Sequence, residues 1–61
     1  METKTLILSE DNDSYSYLAL LNGREQWSGE IERWMVEDDT DALIGMVEDM
    51  CDMKFDVVYW I

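Results

Sequence analysis

The sequence predicts an α+β domain: a small antiparallel sheet of three to four strands with one helix packed on a face, in the order ββ(β)αβ. Three observations predict it. Asn22-Gly23 directly follows an apolar run, and this dipeptide accepts positive φ at both central turn positions, the strongest short-range hairpin signal. Leu43, Met46, Val47 and Met50 follow the i, i+3, i+4, i+7 spacing of one helix face. Lys54 to Ile61 closes the chain with alternating strand-forming residues. With no proline, no Gly/Ser linker and no repeat in 61 residues, the chain reads as a single domain over 1–61.

The first strand is Thr5 to Leu8, short, apolar and β-branched. Glu10-Asp11-Asn12-Asp13-Ser14 then forms a polar turn. Tyr15 to Leu21 is the second strand, with Tyr15, Tyr17, Ala19 and Leu21 on one side. The stretch from Arg24 to Val36 fits two readings. As a strand it aligns Trp27, Gly29, Ile31, Arg33 and Met35; as a helix it aligns Trp27, Ile31, Trp34 and Met35. The preceding turn and Gly29, which suits a bulge, favour the strand. Asp38, Asp39 or Thr40 can cap the helix that follows, and acids in its first turn suit the positive end of the helix dipole. In the last strand, Phe55, Val57, Tyr59 and Ile61 face one way and Asp56, Val58 and Trp60 the other. The expected core joins Phe55, Val57 and Tyr59 to Leu43, Met46, Val47, Met50 and the first hairpin.

A domain of this length buries only about 60% of its unfolded surface. Here 48% of residues are hydrophobic, including three Trp, too apolar for a disordered acidic segment. Fifteen Asp and Glu against four Lys and Arg give a formal charge of −11. A small domain needs a net charge of only about 2–8 in magnitude for solubility, and charge beyond that adds self-repulsion. A folded, densely anionic surface therefore points to a cationic partner, and large cationic surfaces are commonly those that hold nucleic acid. The same charge opposes direct binding to nucleic acid or to anionic membranes.

The acids concentrate between Glu30 and Asp41: Glu30, Glu32, Glu37, Asp38, Asp39 and Asp41. On a strand, Glu30 and Glu32 point the same way about 6.6 Å apart. On the helix, Asp41, Glu48 and Asp52 share a polar side, with Asp49 beside them, and residues four apart are separated by about 6 Å along the axis. Successive phosphates of a DNA strand rise by about 3.4 Å each, so such carboxylates can meet cationic side chains spaced to grip phosphates. Trp34 and Trp60 are the aromatics hardest to bury in this pattern and are candidate apolar anchors among the acids. The bland alternatives are a solvated polar face for the acids and ordinary core packing for the tryptophans.

Other chemistries find little support. With no His and one Cys, neither a zinc site nor an intrachain disulfide can be built. Asp11-Asn12-Asp13 starts like a calcium loop, but Tyr15 and Ser16 stand where an acidic ligand and Gly belong, and Asn22 where Glu belongs. No nucleophile-base set or Gly-rich phosphate loop is present, and no pair of carboxylates stands apart. The expectation is a non-enzymatic protein with no catalytic residue, metal or cofactor. The lone Cys51, the lack of a signal-peptide pattern and the shortness of every apolar run fit a cytoplasmic setting.

In size and composition the chain resembles, as a class, the small acidic DNA-mimic proteins of bacteriophages: anti-restriction proteins, anti-CRISPR proteins and uracil-DNA glycosylase inhibitors. No motif of any one of these families is present, so no residue roles carry over. The resemblance implies an inhibitor that occupies the site of a basic nucleic-acid-handling protein, acting in a host cytoplasm. The partner-binding candidates are Glu30, Glu32, Trp34, Glu37, Asp38, Asp39, Asp41, Glu48, Asp49, Asp52 and Trp60. The alternative is a non-enzymatic interaction module or homo-oligomer, a homodimer among them, that binds through an apolar strand edge in Phe55 to Ile61 and exposed aromatics.

Overall fold

The computed structural model describes residues 2–61; Met1, the start of the expected domain, lies outside the described residues. Strands β1 (Lys4–Glu10), β2 (Ser14–Leu21) and β3 (Arg24–Glu32) are followed by a single-turn helix α1 (Arg33–Val36), the main helix α2 (Thr40–Cys51) and strand β4 (Val57–Trp60). The sheet order is β3-β2-β1-β4, so the helices carry the chain from one edge of the sheet to the other. The architecture is α+β, as expected.

The β2–β3 hairpin closes with Leu21 paired to Arg24. Asn22 and Gly23 between them adopt φ of 54° and 81°, the double positive-φ turn whose twist matches the flanking strands. β1 and β2 are also antiparallel. The departure from an all-antiparallel sheet is β4, which pairs parallel to β1 with Leu6 opposite Val58 and Leu8 opposite Trp60. A parallel return requires a long crossover, and α1 and α2 provide it.

The segment that fits both strand and helix is divided between them. Arg24 to Glu32 is strand, and Arg33 to Val36 makes one helical turn. The backbone N–H of Arg33 donates to the Asp13 carbonyl at 3.0 Å. Glu37 and Asp38 then take φ of 51° and 59°, a left-handed pair that redirects the chain into α2. Gly29 is not the bulge; the irregularity lies between Ala19 and Leu20, opposite Trp27 and Glu25. Gly29 instead leaves room for the aromatic ring opposite it, since a Cβ there would lie 2.8 Å from the Tyr17 hydroxyl.

The core is Leu6, Leu8, Tyr15, Ala19, Ile31, Val36, Leu43, Val47 and Cys51, with Tyr17, Ile44, Met46, Met53, Phe55 and Val58 packed against it. Two expectations are corrected. Met50 is half exposed, because α2 turns Leu43, Val47 and Cys51 inward at i, i+4 and i+8 and leaves Met50 on the flank. The last strand has the opposite phase: Val58 packs on the core while Tyr59 is 56% exposed. Pairing Val58 with Leu6 and Trp60 with Leu8 places both under the helix side and turns Val57 and Tyr59 outward.

Asp39 is the N-cap of α2, its carboxylate accepting from the N–H groups of Asp41 and Ala42, and Asp41 stands in the first turn as expected. At the other end Asp52 adopts the left-handed conformation and its N–H returns to the Glu48 carbonyl, a glycine-like stop made by an acid. No helix of the described residues is long and apolar enough to cross a membrane.

Candidate partner-binding surface

The predicted residues fall into three groups. Glu30 and Glu32 occupy the edge strand β3, opposite Ser16 and Ser14, and Trp34 follows on α1. With Asp13, Ser14 and Arg33 they line an open cleft of about 650 Å³. Trp34 is 72% exposed, yet its indole N–H donates to a Glu32 carboxylate oxygen, which orients the ring beside the acids. Three carboxylates around an exposed aromatic face favour a cationic group, held by charge and by the π-system.

The second group, at the α1–α2 junction, is partly consumed by the fold. Asp39 is engaged in capping. Asp38 accepts from Arg33 Nε at 2.8 Å and from the Tyr15 hydroxyl at 3.3 Å. The hydrogen bond from Arg33, and then its charge, hold the Asp38 carboxyl below its ordinary pKa. Glu37 and Asp41 are exposed.

In the third group, on α2, Glu48 is not a free surface acid. Its side chain is 18% exposed, one oxygen accepts from the Phe55 N–H at 3.2 Å, and the other lies 3.5 Å from Lys54 Nζ. It ties the end of α2 to the approach to β4. Asp49 and Asp52 are exposed. Trp60 is 44% exposed and meets Tyr15 edge-on with ring centroids 6.0 Å apart, so it is braced on one side and open on the other.

Arg33 organises this surface, and its role was not visible in the sequence. Its Nη2 is 2.9 Å from Glu10. Its Nη1 donates to the Asp11 carbonyl at 2.8 Å and to the Asn12 carbonyl at 3.5 Å. Its guanidinium lies over the Tyr15 ring, 5.2 Å from the centroid. The hydrogen bond to Asp38 is the largest cause raising its already high pKa. Asp13 and Ser14 likewise carry only a turn signal in the sequence, and pairing Ser14 with Glu32 brings them to the cleft.

Among the described residues, only Glu10, Asp38 and Glu48 have ion-pair partners. No group of three or more His, Cys, Asp or Glu among them is arranged to hold a metal ion. Compared with protein-family models, curated proteins and solved structures, the chain gives no match.

Proposed function

We propose that this protein is a non-enzymatic acidic inhibitor that occupies the nucleic-acid site of a basic nucleic-acid-handling protein, in a cytoplasmic setting. The observation that carries this reading is the unneutralised surface: of fifteen acids, Glu10, Asp38 and Glu48 alone have ion-pair partners among the described residues. An excess kept exposed and unpaired raises the rate of encounter with a cationic groove and selects against anionic competitors. The cleft bearing Glu30, Glu32 and Trp34 offers two carboxylates on one face of a strand beside an aromatic plane. That combination resembles phosphates next to a base and suits Arg in particular. Glu37, Asp41, Asp49 and Asp52 extend the anionic surface. Asp38, Asp39 and Glu48 contribute charge from fixed positions while serving the fold.

The test is capture of partners from a bacterial lysate on the immobilised protein, followed by elution with duplex DNA. Release of a nucleic-acid enzyme by DNA supports competitive mimicry; a partner indifferent to DNA contradicts it. A second reading, an interaction module or homodimer built on β4, is favoured by the position of β4 at the sheet edge and by the 85% exposure of Ile61 beyond it. In that case changes at Trp60 abolish association, and neutralising acids leaves it intact.

A further inference from the structure

The helices cover one face of the sheet, and among the described residues no element is layered on the other face. Strand alternation from the buried Leu6 and Leu8, carried across the register, assigns Ile7, Leu18, Leu20, Val57 and Tyr59 to the uncovered face. None of these five belongs to the core or to the side chains packed against it. They form a continuous strip: Ile7 pairs with both Leu18 and Tyr59, and Thr5 pairs with both Leu20 and Val57. Along one flank runs β3, whose outward residues on this face include Glu30 and Glu32. Tyr59 is exposed and Ile7, Leu18, Leu20 and Val57 are half-buried. A two-layer domain covers its apolar sheet face, and an apolar patch left open to solvent with a polar rim marks an interaction surface.

Charge selects the occupant. Lys4 is opposite Leu21, and Leu21 opposite Arg24, so both cations share the helix-covered side with Leu6. Arg33, although it borders the cleft of Glu30 and Glu32, lays its guanidinium over Tyr15 and is already paired with Glu10 and Asp38. Lys54 is beside Glu48 at the end of α2. Among the described residues the uncovered face thus has acids and apolar side chains with no strand cation. A second copy docked through the same face would bring its own acids and no strand cation to meet Glu30 and Glu32, and each copy carries a net −11. We infer that the uncovered sheet face docks a basic protein, its apolar strip Ile7, Leu18, Leu20, Val57 and Tyr59 taking an apolar ridge while Glu30 and Glu32 pair with Lys or Arg beside that ridge. This rests on the reading of the acids as a docking surface and adds which face docks and what the partner must carry. Apolar burial supplies residence and the acids supply approach and register.

The test titrates the isotope-labelled protein with two synthetic peptides of equal charge, followed by backbone amide shifts. In one, serine alternates with two leucines and then two arginines; in the other, serine replaces both leucines. The leucine peptide should bind about tenfold more tightly, as the burial of even part of two leucines requires, and should shift the amides of Ile7, Leu18, Leu20 and Val57. Leu18→Ser should remove that advantage, and Tyr59→Ser, at a more exposed position, should reduce it should Leu18→Ser unfold the domain. Equal affinities with shifts confined to Glu30 and Glu32 would overturn this inference while leaving the acidic surface in place. Failure of both peptides to bind would overturn the two together. A concentration-dependent dimer in sedimentation, broken by Leu18→Ser, would overturn the choice of occupant.

Discussion

Arg33 donates through Nε to Asp38 at 2.8 Å and pairs through Nη2 with Glu10 at 2.9 Å, joining the start of α1 to the end of β1. In a chain with four cations, this one is committed to two exposed acids, Glu10 and Asp38, and is not free to neutralise the others. Arg33→Ala removes these bonds and the two turn carbonyl contacts together. It should lower the melting temperature more than Arg24→Ala or Lys54→Ala, as read by thermal denaturation followed by circular dichroism.

Asp38 gives that cluster a pH signature. Its folded pKa is depressed, so its contribution to stability is complete above the unfolded value of about 3.9 and is lost as pH falls through the folded value. The stability gap between wild type and Asp38→Asn should be constant from pH 5 to 8 and close progressively below about pH 4. Denaturant midpoints at each pH measure it; a gap that widened in acid would contradict the assignment.

Leu43 is fully buried between α2 and the sheet. Leu43→Ala should cost about 2–5 kcal/mol, a large share of the total stability of so small a domain. Met50→Ala, at a half-exposed position, should cost well under half as much. Urea unfolding of the two variants checks the corrected phase of the helix.

Two of the acids should separate from the rest because they serve α2. Asp39→Ala should cost about 1 kcal/mol through loss of the N-cap, and Asp39→Asn much less, since both Asp and Asn cap well. Glu48→Ala should loosen the approach to β4, seen as faster amide exchange at Phe55, while Glu48→Gln retains an acceptor for that N–H. By contrast Glu30→Gln and Glu32→Gln should leave stability unchanged within about 0.5 kcal/mol.

Cys51 is free and buried at 7% exposure, and desolvation pushes its thiol pKa up. Both effects suppress the thiolate. A thiol reagent should label the native protein slowly and the urea-unfolded protein at the rate of a model thiol, which makes Cys51 a reporter of opening at the end of α2.

The elements that were legible in the sequence are those specified locally. Asn22-Gly23 needs no distant partner to turn, and the i, i+4 spacing of Leu43 and Val47 names its own face. The phase of β4 was not legible, because Val57 and Tyr59 alternate as well as Val58 and Trp60; only pairing with β1 chooses between them. The acidic concentration from Glu30 to Asp41 was visible, but its division was not. Asp38 and Asp39 are drawn into the fold by Arg33 and by α2, whereas Glu30 and Glu32 stay outward on β3. The uncovered face had a signal: Leu18 to Leu21 is apolar at every position, and a strand apolar on both parities has two faces to cover.

The most direct test of the central claim is competition. Proteins captured from lysate on the immobilised wild type at about 50 mM salt are challenged with duplex DNA, with about 200 mM salt, and in parallel on the Glu30→Gln/Glu32→Gln variant. The account predicts a nucleic-acid enzyme that is released by DNA, weakened by salt and retained poorly by the variant. A partner held equally by wild type and variant, unmoved by DNA or salt, would contradict it.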